Sequence, residues 1–287
     1  MRAFQWALVA AVLVVSAVAG CGDDGRVPSS VDTVSGSDAA ADGLSGGELV
    51  DIGGRSLFVE CQGEAGTGPV VLLEAGLTGD ARTWDKVVAG LPPRVQVCAY
   101  DRANIGRSDA APTPRTAQDV VDDLDTLLDT VGAQSPYVLV GFSFGGIFTQ
   151  LYAAEHPDEI SGLVLIESNH PDEARQFEQH LTRAQIAADR AAAQSNPEGI
   201  DIYASFAQVK RAGPLPSVPL VVVTATTGAE WPPGWDPAFF DRLRARQQAD
   251  LATLVPGGQQ IFAKDSSHDV PADRPDVVIN AIDQVLN

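Results

Sequence analysis

The sequence predicts an α/β domain built on a mainly parallel sheet covered by helices on both faces. Three observations predict it. Short apolar runs alternate along the chain with longer stretches of helical periodicity. Those runs are solidly apolar rather than alternating, the pattern of strands buried on both sides. One of them, Tyr137-Val138-Leu139-Val140, passes through Gly141-Phe142-Ser143-Phe144-Gly145-Gly146 into the helix-like stretch 147–154, which is a strand, a sharp turn and a helix. The glycines flanking Ser143 let neighbouring segments pack close, while the turn lifts the hydroxyl above the sheet edge for nucleophilic attack. A phosphate-binding turn would instead place a lysine after the glycines, where Ile147 stands.

The chain has 287 residues, 45% of them hydrophobic, enough for a substantial core. Its formal net charge of −19 argues against nucleic acid or an anionic membrane surface as a partner, since both would repel it. Residues 1–20 read as an export signal: Arg2, an apolar run from Ala7 to Val18, then small residues. The string Val18-Ala19-Gly20-Cys21 resembles a bacterial lipoprotein lipobox, which implies lipidation of Cys21 and attachment to a membrane through acyl chains. Ordinary secretion and an uncleaved anchor stay open as alternatives. Residues 21–47 are Gly, Ser, Asp, Ala and Pro with few large apolar side chains, and read as a flexible tether.

The folded domain is expected over 48–287. Leu49 to Ile52 and Ser56 to Cys61, joined at Gly53-Gly54, form an opening hairpin. Val70 to Leu73 is a buried strand, followed by a helix carrying Trp84, Val87 and Val88. Val95 to Tyr100 is the next strand. Thr116 caps a helix from 117 to 131, whose Val120, Leu124, Leu127, Leu128 and Val131 recur at helical spacing. After the serine turn, Ile160 to Ile166 and Val218 to Val223 are further strands. The stretch of about 171–212 between them is rich in Ala, Gln, Glu and Arg, and is too long for a plain connection, so it reads as inserted cap helices. A helix over 237–254, a strand over 259–263 and a helix over 274–286 complete about eight strands.

This order of elements, with the serine turn and a late Ser266-Ser267-His268-Asp269, resembles the α/β-hydrolase superfamily over 48–287. The strings Ala99-Tyr100-Asp101-Arg102 with Gly106-Arg107-Ser108, and His156-Pro157 ahead of Gly162-Leu163-Val164-Leu165, are similar to its esterase-like bacterial members. Because the fold hosts many chemistries, the site must carry the functional argument.

Acyl transfer by a serine needs a base to take its proton. Of the four histidines, His156 sits at a helix end and reads as a helix-terminal cation, His180 lies in the cap's helical run, and His170 follows a strand end. His268 follows the last strand, where the resemblance places the catalytic base. The acid departs from the common pattern: no Asp stands just after the strand at 218–223, and the first carboxylate there is Glu230. Glu167, at the end of the preceding strand, occupies a position that some superfamily members use for the acid. It is preferred over Glu230, with Asp236 a more distant third, and the role of the acid is to hold the imidazole tautomer. The resemblance also implies an oxyanion hole from the backbone N–H groups of Phe144 and Leu77, with Glu74-Ala75-Gly76 standing where His-Gly is frequent.

Asp101 and Arg102 read as an ion pair or turn pinning a loop, and Trp84, Trp231 and Trp235 as packing anchors. The family's strand order sets Cys61 and Cys98 on neighbouring strands, so a disulfide or two buried thiols are both open. No Cys and His spacing supports a metal, and no cofactor is expected. These readings imply an exported, cofactor-free serine hydrolase acting on a small ester, with amide, lactone or perhydrolytic chemistry and a silent binding protein as alternatives.

Overall fold

The computed structural model describes residues 46–66 and 68–287. The signal segment, Cys21 and the tether up to residue 45 lie outside the described residues. The first strand begins at Gly46, two residues ahead of the expected domain start, because Gly46 and Gly47 pair with Cys61 and Glu60.

In chain order the elements are β1 (Gly46–Asp51), β2 (Ser56–Gln62), β3 (Val70–Glu74), α1 (Asp85–Val88), β4 (Val97–Tyr100) and α2 (Ala117–Val131). They continue with β5 (Tyr137–Phe142), α3 (Gly145–Glu155), β6 (Ile160–Ile166), α4 (Glu173–Glu178), α5 (Arg183–Gln194) and α6 (Ile202–Arg211). The last are β7 (Leu220–Ala225), α7 (Pro237–Leu251), β8 (Gln259–Ala263), α8 (Val270–Asp273) and α9 (Pro275–Leu286). The eight strands form one sheet in the order β1-β2-β4-β3-β5-β6-β7-β8. β2 runs antiparallel to β1 and to β4, and every other pairing is parallel. Among the described residues no helix is long and apolar enough to cross a membrane.

The solidly apolar runs are the sheet's centre: every residue of β3, β4 and β5 is buried. One apolar layer joins the sheet to α2, α3 and α6 through residues such as Leu124, Leu127, Phe148, Leu151 and Phe206. The other joins it to α1 and α9 through Trp84, Val87, Val278 and Ile282. α2 starts as its sequence dictates, with Asp119 accepting from the N–H and the hydroxyl of Thr116, 2.8 Å each, and it ends at Gly132 with φ 67°.

Two strand ends differ from expectation. β4 starts at Val97 because Val95 closes a turn by donating to Pro92 C=O at 2.9 Å. β7 starts at Leu220 because Val218 donates back to Pro216 C=O and Pro219 has no N–H to give to the ladder. Cys61 and Cys98 are register partners of β2 and β4, and their sulfurs are bonded, 2.09 Å apart. The insertion between β6 and β7 carries α4, α5 and α6 over the expected 171–212 stretch.

Candidate active site

β5, β6 and β7 are adjacent and parallel, so their C-terminal ends come together on one edge of the sheet. Ser143 follows β5 directly. Its N–H donates to Ile166 C=O at 2.9 Å, and its φ of 53° places it in the left-handed region that a side chain rarely adopts. The flanking glycines make this turn feasible. A Cβ at Gly141 would lie 2.4 Å from Thr149 Oγ1, and one at Gly145 would lie 2.4 Å from the carbonyl oxygens of both Glu74 and Ala75.

Glu167 follows β6 in the same way. It has φ 46°, and its N–H donates to Val223 C=O at 2.8 Å. Its carboxylate is buried: Oε1 accepts from Ala225 N–H at 2.8 Å, while Oε2 faces His268 Nδ1 at 3.3 Å. His268 stands in the loop between β8 and α8, and Asp273 shapes that loop by accepting from Ser267 N–H (2.9 Å) and Ser267 Oγ (2.6 Å). The imidazole rests on the Phe142 ring, centroids 5.1 Å apart, and brings Nε2 to 3.0 Å from Ser143 Oγ. Three side chains from three strand ends thus lie in one hydrogen-bonded row of Ser143, His268 and Glu167. Glu230 is exposed in the loop after β7, with no bond to His268 among the described residues. Asp236 caps α7 instead, accepting from Phe239 N–H at 3.2 Å.

Arg244, on α7, is the residue that sequence reasoning did not find. Its guanidinium donates to Glu167 Oε2 and its Nη2 lies 2.7 Å from His268 Nδ1. Burial, and then the Arg244 charge, bring the His268 imidazole down to about 3, with Asp269 opposing; burial also lowers Arg244 to about 10. His268 is therefore neutral near pH 7, as a general base must be. Guanidinium can only donate, so an Nδ1–H and an Arg244 N–H cannot share one line. An imidazole that donates Nδ1–H to Glu167 requires Arg244 to turn off the ring nitrogen.

Leu77 lies in a turn closed by Gly79 N–H donating to Gly76 C=O at 3.0 Å, and Thr78 within it has φ 67°. Gly76 packs on the nucleophile, since a Cβ there would be 3.2 Å from Ser143 Cβ. Phe144 is fully buried ahead of α3, its ring against Phe148 and Phe206. The N–H groups of Leu77 and Phe144 donate to no acceptor among the described residues, which leaves both free to face an oxyanion.

The other histidines lie elsewhere. His156 stacks on Tyr152 beside Asp125 and Glu159, the Nδ1 of His170 accepts from Asp172 N–H, and His180 is exposed against Phe239. Asp101 pins its loop by accepting from the N–H groups of Ala81 and Arg107. Trp231 and Trp235 pack with Phe177 and Phe240, and Trp84 fills the core.

Comparison with known proteins bears on the family and the fold. A family model described as alpha/beta hydrolase fold matches residues 69–285. An uncharacterized Bacillus subtilis protein, YqjL, is 25% identical over 228 residues, covering 75% of this chain and 83% of its own length. A 2-(acetamidomethylene)succinate hydrolase of Mesorhizobium japonicum is 33% identical over 118 residues, 41% of each chain. The chain spans well under two thirds of the length of most of the first curated relatives it matches, 18% in one case. Among solved structures, a thermophilic esterase from Thermogutta terrifontis superposes with a TM-score of 0.61 at 22% identity, covering 85% of this chain and 100% of the esterase.

Proposed function

The chain belongs to the alpha/beta hydrolase fold family, and from that premise we propose that it is a serine hydrolase cleaving carboxylic esters through an acyl-enzyme on Ser143. The observation that carries the reading is the 3.0 Å approach of His268 Nε2 to Ser143 Oγ at a strained strand-to-helix turn. His268 takes the Oγ proton as the oxygen attacks the ester carbonyl, and the Leu77 and Phe144 N–H groups receive the negative charge that develops. His268 then passes the proton to the leaving alkoxide, and a water activated by the same imidazole hydrolyses the acyl-serine. Glu167 offsets the imidazolium charge in both steps.

Amide, lactone or perhydrolytic substrates would use the same atoms, and the name of the Mesorhizobium relative gives the C–N alternative some support. A silent binding domain of this fold is the reading from another class. Export through residues 1–20 and lipid anchoring at Cys21 belong to the proposal and rest on the sequence of that segment. Labelling with a fluorophosphonate probe separates the classes. The wild type should label and Ser143→Ala should not; an unlabelled wild type, or undiminished labelling of the variant, would refute the enzyme reading.

A further inference from the structure

The segment between α5 and α6 is stitched into the core rather than lying loose over the site. Arg115 N–H donates to Gly199 C=O (2.8 Å), Asp201 N–H donates back to Arg115 C=O (2.7 Å), and Asn104 Nδ2 donates to Glu198 C=O (3.0 Å). These bonds carry the Glu198 carboxylate inward, where the residue is 1% exposed. There Arg102 grips it in a fork, Nε to Oε2 and Nη2 to Oε1, both 2.8 Å. The same Oε1 accepts from the Thr78 backbone N–H.

Arg102 also reaches the other side of the turn that holds Leu77. Its Nη1 donates to Ala75 C=O and its Nη2 to Gly76 C=O, 2.8 Å each. Nη1 further donates to Glu74 Oε1 at 2.5 Å, and Glu74 Oε2 accepts from Tyr100 Oη at 2.5 Å. The loop is therefore held at Glu74, Ala75, Gly76 and Thr78, on both sides of Leu77. Burial opposes the charge on Arg102, yet Glu198 and then Glu74 more than offset it, so the guanidinium stays protonated.

We infer that Glu198 is a positioning residue for the oxyanion hole, acting through Arg102 and the Ala75–Thr78 loop so that docking of the α5–α6 segment aims the Leu77 N–H at the reacting carbonyl. The inference rests on the serine hydrolase reading above. A backbone donor cannot be tuned through its own side chain, so its aim depends on what fixes the loop around it, and a donor fixed before the reaction needs no reorganisation when the charge develops. The insertion between β6 and β7 thereby also sets the hole's geometry.

The test is Glu198→Gln, which keeps an acceptor for Thr78 N–H but removes the charge and half of the fork. Losing a whole oxyanion donor lowers kcat by about 100- to 1,000-fold, and a misaimed donor should cost about 10- to 100-fold. The kcat for p-nitrophenyl acetate should fall by that factor with KM nearly unchanged. Affinity for phenylboronic acid, whose serine adduct is tetrahedral, should weaken in parallel. Glu178→Gln removes a cap carboxylate paired at the surface with Arg190 and should change neither quantity.

A folded Glu198→Gln with unchanged kcat and boronate affinity would overturn the inference. If that variant does not fold, Asn104→Ala loosens the same segment without touching the ion pair: a fall in kcat at constant KM supports the inference, and an unchanged kcat overturns it. A wild type that fails to label at Ser143 would refute the serine hydrolase reading instead, so the two failures are distinguishable.

Discussion

Replacing Arg244 by methionine should shift the acid limb of activity to higher pH. Protonating His268 puts a second positive charge beside the Arg244 guanidinium, whose Nη2 lies 2.7 Å from Nδ1 of the neutral ring. Two such charges about 4 Å apart repel by about 4 kcal/mol at an effective dielectric near 20, an upper bound for a ring whose side chain is 27% exposed. Burial is the larger of the two causes that bring His268 from 6.5 to about 3, so Arg244 accounts for the smaller share of that lowering. The sign follows from the role: the base works when neutral, and raising its pKa moves the loss of activity upward in pH. In a kcat/KM profile on p-nitrophenyl acetate, Arg244→Met should lose activity about 1 unit higher than wild type. Arg244→Lys, which keeps the charge, should stay near wild type. Superimposable acid limbs in wild type and Arg244→Met would refute the electrostatic reasoning.

Three further outcomes are expected. Glu167→Gln should lower kcat by about 100- to 10,000-fold while Glu230→Gln stays within about twofold, read in steady-state kinetics; an unaffected Glu167→Gln would move the acid elsewhere. Gly145→Ala would place a methyl group 2.4 Å from two carbonyl oxygens of the Glu74-Ala75 loop, so both kcat and stability should fall, the latter by about 1–3 kcal/mol in urea unfolding. Replacing Cys61 and Cys98 together by serine opens a loop of sequence separation 37, and the denaturation midpoint should drop by an amount corresponding to at most about 4 kcal/mol.

What could be read from the chain was local. Ser143 announces itself because its whole turn, with both glycines, is contiguous, and His268 because it follows the last apolar strand at a fixed place in the order. The strand interiors were legible from their apolar runs, whereas the starts of β4 and β7 depended on which residues of 92–95 and 216–219 closed turns. Arg244 was illegible because α7 also carries Arg242 and Arg246, and only the phase of the helix over the sheet edge turns one of the three inward; the other two are exposed. Glu198 sits in Ser195-Asn196-Pro197-Glu198-Gly199, a string that reads as a solvated surface turn, yet its carboxylate is among the most buried of the described residues. Its burial requires Arg102 as partner, a residue 96 positions away. Pairings at that range follow from topology, not from neighbouring sequence.

The central claim is that Ser143 becomes acylated. Mixing the protein with p-nitrophenyl acetate, quenching in acid within the first turnover and measuring intact mass followed by peptide mapping tests it most directly. The account predicts one acetyl group per chain, located on Ser143 and lost in Ser143→Ala. Hydrolysis without any acetylated chain, or acetyl on another residue with Ser143→Ala still active, would contradict it.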